Sequence, residues 1–195
     1  MVAAFGDPGL LAARELFDLP VVGLAEAAML SACMLGGRFS IITFAPPLRG
    51  WFADCVATHG LASRCASIRA PDAAPSRDVA NVQDEAKIRD LLVRLAEQAV
   101  EEDGAEVIIF GGAPLTGLAA LIRDRVPVPV VDQTVAAVKQ AEALVALKVR
   151  PALAGGTRRP DPKQSRGLPR PLADWLAHEE APAAAHSRGP GGENE

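Results

Sequence analysis

Tyrosine is absent from the 195-residue chain, and aromatic residues make up only 4% of it. A core built from this sequence must therefore rest on Ala, Val, Leu and Ile. No apolar run approaches the roughly 20 residues that a membrane-spanning helix needs, so a membrane protein is not expected. No long basic run occurs and the net charge is -4, which argues against a nucleic-acid surface. Only three cysteines are present, Cys33, Cys55 and Cys65, and their spacing forms no metal-like cluster. The odd count, without a recognisable signal peptide, implies reduced thiols and a cytoplasmic protein. The histidines, His59, His178 and His186, are scattered and suggest neither a catalytic triad nor a metal site.

What is present is a chain that is 49% hydrophobic, enough for one domain or two small lobes. Short Val/Ile-rich segments alternate with alanine-rich amphipathic ones, the pattern of an α/β fold with parallel strands. Strands are predicted at 38–44, 65–69, 106–110 and 127–131, with a brief β piece at Val21-Val22. Helices are predicted at about 8–17, 26–35, 48–59, 83–103, 114–125 and 134–147, with a short one at 172–178. The run 106–110 is continuously apolar, as befits a strand buried on both faces. Pro127 and Pro129 confine the last strand to an edge or a strand start. Residues 71–80 read as a loop. After about Val149 the composition turns to Pro, Gly, Arg and Asp, and Ala181–Glu195 reads as a disordered tail.

Two glycine-containing turns stand out, each directly after an apolar strand: Val2-Ala3-Ala4-Phe5-Gly6-Asp7-Pro8-Gly9 and Val107-Ile108-Ile109-Phe110-Gly111-Gly112-Ala113-Pro114-Leu115. Ligands of open α/β sheets bind beyond the carboxyl ends of strands. Ala4–Gly9, Thr43–Pro46, Gly111–Leu115 and Asp132–Thr134 all occupy such ends. Glycine lets backbone approach a ligand closely, and following helices aim free N–H groups at it. Asp7 is placed either to cap a helix that starts at Pro8 or to act as an acid or base in the pocket. Glu26 contacts the pocket or opens its helix. Thr43 donates to a substrate carbonyl or packs in its strand, and Asp132 and Thr134 cap the last helix or touch a ligand. Each cysteine reads more readily as a small buried hydrophobe than as a catalyst, and Trp51 and Trp175 read as packing residues.

Several blocks in order carry a resemblance. They are Phe5-Gly6-Asp7-Pro8-Gly9-Leu10, Pro20-Val21-Val22-Gly23-Leu24-Ala25-Glu26, Arg38-Phe39-Ser40-Ile41-Ile42-Thr43, Cys65-Ala66-Ser67-Ile68-Arg69, Gly104-Ala105-Glu106-Val107-Ile108-Ile109, Val130-Val131-Asp132 and Arg158-Arg159-Pro160-Asp161-Pro162. Together they resemble the aspartate/glutamate/hydantoin racemase family, hydantoin racemases in particular. The resemblance implies two pseudo-symmetric parallel-sheet lobes with a site between them. It also implies a cofactor-independent racemase or epimerase, with no bound metal, acting at an α-carbon next to a carbonyl. One cysteine thiolate would remove the α-proton and a second, on the opposite face, would return one. Those cysteines should fall at Ala4 and Gly112, where neither side chain can carry a proton. Asp7 is then the remaining acid/base candidate, with Phe5, Gly6, Glu26, Thr43, Gly111, Gly112 and Ala113 around a small amino-acid-like or hydantoin-like substrate.

The implied organisation is an α/β domain over 1–150, a carboxyl-terminal family segment over 151–180 and the tail. Within the domain the first lobe is 1–35 plus a helix returning from the carboxyl-terminal side, and the second lobe is 36–132. Because Val2–Phe5 reads as the end of a strand, the first lobe is expected to be incomplete at its amino terminus, through a misassigned start or a truncated gene. Relatives commonly self-associate, so a homo-oligomer is a possible assembly. A non-catalytic small-molecule-binding or assembly relative is the alternative function.

Overall fold

The computed structural model describes residues 1–72, 86–149, 152–156 and 158–179. Most of the 71–80 loop, the first turn of the helix expected from residue 83, His186 and the tail lie outside the described residues. The architecture is a four-stranded parallel sheet in the order β2-β1-β3-β4, as the alternating pattern implies. The strands are β1 (Phe39–Ile42), β2 (Cys65–Arg69), β3 (Val107–Phe110) and β4 (Val130–Asp132). All three pairings are parallel, with Phe39 beside Val107 and Ile108 beside Val130. β1 and β3 occupy the centre, and every residue in both is buried. β4, following two prolines, takes an edge, where a missing N–H costs no ladder bond.

Among the described residues, seven α-helices surround the sheet: α1 (Leu10–Leu16), α2 (Leu24–Leu35), α3 (Leu48–Thr58), α4 (Ala86–Asp103), α5 (Leu118–Ile122), α6 (Gln133–Ala146) and α7 (Arg170–Leu176). Alternate residues of the central strands feed two cores. Ile42, Ile108 and Phe110 pack with Leu92 and Ala96 of α4 and with Leu118 and Ile122 of α5. Phe39, Ile41, Val107 and Ile109 pack with Ala25, Ala28 and Met29 of α2 and with Phe52, Cys55 and Val56 of α3. Winding to the left of β1 uses α3 on one face, and winding to the right uses α4 and α5 on the other. Crossovers of a single hand require this change of face. The single helix expected over 114–125 is instead a 3-10 turn at Ala113–Leu115, then α5, then a second 3-10 turn at Arg123–Arg125. Gly117, in the left-handed region at φ 84°, interrupts it.

The amino-terminal segment adds no strand to this sheet. Val2 forms an isolated parallel bridge with Gly23, through Val2 N–H donating to Val22 C=O. Phe5 then dives into the core and packs edge-on against Phe52, ring centres 4.7 Å apart. The described part of the carboxyl-terminal segment straps back onto α1. Trp175 donates from Nε1 to the Leu16 carbonyl, and Arg159 lies 4.1 Å above the Trp175 ring. Among the described residues no helix is long and apolar enough to cross a membrane.

Ile109 is fully buried at the centre of the sheet, so Ile109→Ala should cost about 2–5 kcal/mol through lost burial and a residual cavity. The measurement is chemical denaturation, with exposed Val145→Ala as a near-neutral control.

Candidate functional site

The sheet order places its switch point between β1 and β3, where open α/β sheets form their crevice. Thr43 and Phe44 leave β1 there, and Gly111 and Gly112 leave β3. Gly111 N–H donates to the Ile42 carbonyl at 2.8 Å. Phe5 plugs the crevice from above: a Cβ on Gly111 would sit 3.0 Å from its ring. The two glycine turns are thus brought together in space, with Phe5 as the packing element between them.

At Gly112 the backbone has φ 127°, and a Cβ would lie 2.7 Å from the Phe44 ring. Both conditions select glycine. The buried Gln133 side chain clamps this residue, accepting from Gly112 N–H at 3.0 Å and donating to its carbonyl. The Gly112 amide is therefore occupied by protein. Ala113 is exposed at the start of the 3-10 turn. Thr43 is fully buried, and its Oγ1 has no hydrogen-bond partner among the described residues. Asp132 caps α6, accepting from Thr134 and Val135 N–H, and also accepts from Gly117 N–H. Thr134 Oγ1 lies 2.9 Å from Thr116 Oγ1.

Asp7 does not cap the helix that follows it. Its side chain reaches across 18 residues to α2, accepting from Ala25 N–H at 2.9 Å and Glu26 N–H at 2.8 Å. Capping of α2 thus comes from outside its own segment, because Gly23 at the N-cap has no side chain to offer. Gly23 is also what permits it: a Cβ there would fall 2.4 Å from the Asp7 carboxylate. In return Asp7 takes a left-handed backbone at φ 51°, a conformation Asp tolerates better than most residues.

His59 completes the arrangement. Though scattered along the sequence from the other histidines, this one lies among ionisable groups. α3 ends beside the first glycine turn and delivers His59 between two carboxylates, Nε2 3.1 Å from Asp7 Oδ2 and Nδ1 3.5 Å from Glu26 Oε1. With an acceptor at each ring nitrogen, the doubly protonated imidazolium is favoured. Asp7, then Cys55 and Glu26, push its pKa up to about 11. Glu26 is held down to about 2, chiefly by His59 and then by Arg14 against the opposing effect of burial. Arg14 grips both Glu26 oxygens and donates from Nε to the Val21 carbonyl at 3.0 Å. Cys55 lies one turn before His59 on the same face of α3, and its sulfur, an Asp7 oxygen and a His59 nitrogen all lie within 4.8 Å of one another. Burial pushes the Cys65 thiol up to about 11.

A cleft of about 260 Å³ opens beside this cluster, lined by Gly6, Asp7, Leu10, Trp51, Cys55 and His59 among others. The structure thus gathers Gly6, Asp7 and Glu26 at one place. It leaves Thr43, Gly111, Gly112 and Ala113 at the strand ends. His59, Cys55 and Gln133 are the polar residues that sequence reasoning passes over. The four-residue spacing of Cys55 and His59 on a predicted helix is the available signal for that pair; nothing in the sequence ties Gln133 to Gly112.

The family model for Asp/Glu/hydantoin racemases matches residues 1–141. The chain belongs to the Asp/Glu/hydantoin racemase family. It is 40% identical over 164 residues to the hydantoin racemase of Paenarthrobacter aurescens, a match covering 84% of this chain and 68% of that protein. It is 39% identical over 147 residues to the hydantoin racemase of a Pseudomonas strain, NS671, covering 75% of this chain and 58% of the relative. The crystal structure of allantoin racemase from Pseudomonas fluorescens superposes with a TM-score of 0.76 at 36% identity, covering 84% of this chain and 68% of that one. The chain thus spans between 58% and 68% of the length of these racemases.

Two outcomes follow from the site's geometry. His59, with its pKa raised, contributes stability that is whole below about 6.5 and lost as pH rises towards about 11. Glu26, with its pKa lowered, contributes stability that is whole above about 4.5 and lost as pH falls towards about 2. Thermal melts across pH should peak between those limits, and His59→Gln should flatten the alkaline decline. Gln133→Leu should destabilise by about 1–3 kcal/mol, because it orphans a buried N–H and C=O at Gly112; equilibrium unfolding reads this directly.

Proposed function

We propose that this chain is a cofactor-independent isomerase acting at an acidic α-carbon next to a carbonyl, in a hydantoin-like or amino-acid-like small molecule, with Cys55 as its proton-transferring thiol. The supporting observation is the placement of Cys55 beside His59 and the first glycine turn, on the cleft. Family resemblance would put thiols at Ala4 and Gly112. Here the thiol next to the first turn comes from α3. The site then joins a lobe built around 1–35 to one built around 36–132.

In this reading the Cys55 thiolate takes the α-proton, and the substrate's electron pair moves onto its carbonyl oxygen as an enolate. The neighbouring imidazolium stabilises the developing negative charge. Once the thiol hydrogen has exchanged with solvent, its return to the same face gives isotope exchange with retention; protonation by solvent on the opposite face gives inversion. Asp7 and Glu26 position His59. Asp7 acts through His59, its oxygens accepting from Ala25 and Glu26 N–H and facing the His59 ring.

A second reading, a binding protein without turnover, draws support from the Gly112 clamp, which occupies the amide that would otherwise face a ligand. One experiment separates the two. Single-enantiomer hydantoins, allantoin and amino acids are incubated with the protein in deuterated water and followed by proton NMR. We expect α-hydrogen exchange with at least one of them. Cys55→Ser should slow it by about 10²–10⁴-fold, the span for loss of a general base, while Cys65→Ser leaves it unchanged. Ligand-induced thermal stabilisation without exchange would instead favour the binding protein. Exchange that survives Cys55→Ser would remove the thiol from the mechanism.

A further inference from the structure

We infer that Asp7, Cys55 and His59 form a binding site for a borderline-soft divalent cation of the zinc type, with the cleft at its open position. Each residue supplies one ligand atom, and the three atoms lie within 4.8 Å of one another. Tetrahedral zinc, with bonds of about 2.0–2.3 Å, sets its ligands about 3.3–3.8 Å apart, so the ion need only draw these groups in by about an ångström. One carboxylate oxygen, one imidazole nitrogen and one thiolate sulfur make a donor set that suits zinc and excludes magnesium and calcium, which take oxygen.

Three further features mark the cluster as prepared for an ion. Cys55 and His59 stand at i and i+4 on one helical face, a spacing at which two side chains can share a ligand. His59 presents Nε2 towards Asp7 while Nδ1 faces the Glu26 carboxylate, which Arg14 holds in turn. A carboxylate behind the second ring nitrogen is the usual device for orienting a metal-bound imidazole. Asp7 is fixed by two backbone N–H groups from α2, so one ligand is pre-set. The fourth position faces the cleft of about 260 Å³, where water or a substrate oxygen could bind.

A thiolate held by zinc does not accept a proton, so the loaded protein would be silent in α-carbon exchange. That arm rests on the function proposed above; the binding does not. The test uses the full chain stripped with chelator, titrated with zinc alone against a chromophoric competitor, and in parallel with cobalt(II). We expect one ion per chain and a thiolate-to-cobalt charge-transfer band in the near ultraviolet. Cys55→Ser should abolish the band and Cys65→Ser should keep it. Glu26→Gln should weaken zinc binding by about 10–100-fold, as loss of an orienting carboxylate does. The absence of stoichiometric binding would overturn the site, and so would a cobalt spectrum without a thiolate band or zinc affinity that Cys55→Ser and His59→Gln leave unchanged. The cobalt spectrum of the unmutated chain distinguishes a thiolate-bound ion from none even if a variant fails to fold.

Discussion

The Asp7 carboxylate is the interaction on which the first glycine turn, α2 and the end of α3 all depend. It satisfies two orphan N–H groups at the start of α2 and holds His59 through its second oxygen. A buried carboxylate without partners would be expensive. This one accepts from two backbone N–H groups and faces the His59 ring. Glycine at position 23 makes the approach possible, and a left-handed Asp7 backbone is its cost. The consequence is mechanical as well as electrostatic, because three segments distant in sequence are pinned to one group.

A chain of alternating charge runs outward from that group. Asp7 faces His59, His59 faces Glu26, and Glu26 faces Arg14, which ends on the Val21 carbonyl. Within it, His59 and Glu26 hold each other in their charged forms. The four formal charges cancel, so the cluster sits half-buried without a net charge to solvate. Cys55 stands beside this chain, buried against the core, with its sulfur near His59 and Asp7. At the second turn the logic is reversed. Gln133 occupies both polar groups of the Gly112 peptide, and Phe44 fills the space a side chain would need. One turn is therefore built around ionisable groups and the other around a locked backbone.

Much of the fold is legible along the chain, for reasons particular residues make plain. The run Val107–Phe110 is apolar throughout because it lies between two cores, and periodicity reports that directly. Pro127 and Pro129 mark an edge strand because proline removes a ladder donor. The break at Gly117 is less legible: Pro114–Arg125 carries a helical pattern, and only the local backbone geometry divides it into three short pieces. Asp7 reads as a cap or a pocket acid from its place in the turn. Which helix it caps is not readable there, since the partner amides lie 18 and 19 residues away.

By itself the sequence determined the strand–helix alternation, the two glycine turns after apolar strands, the order of family blocks, and the lack of an ionisable side chain at Ala4 and Gly112. These are local or colinear properties, and local chemistry is enough to state them. Only the tertiary structure decided which polar groups meet. His59 and Cys55 are more than forty positions from Asp7 in the chain, yet the packing of Phe52 and Val56 of α3 against the sheet sets them beside it. Gln133 reaches Gly112 because β3 and β4 are neighbours in register. Through-space pairing of this kind follows from how the layers close on the core, and no spacing along the chain records it.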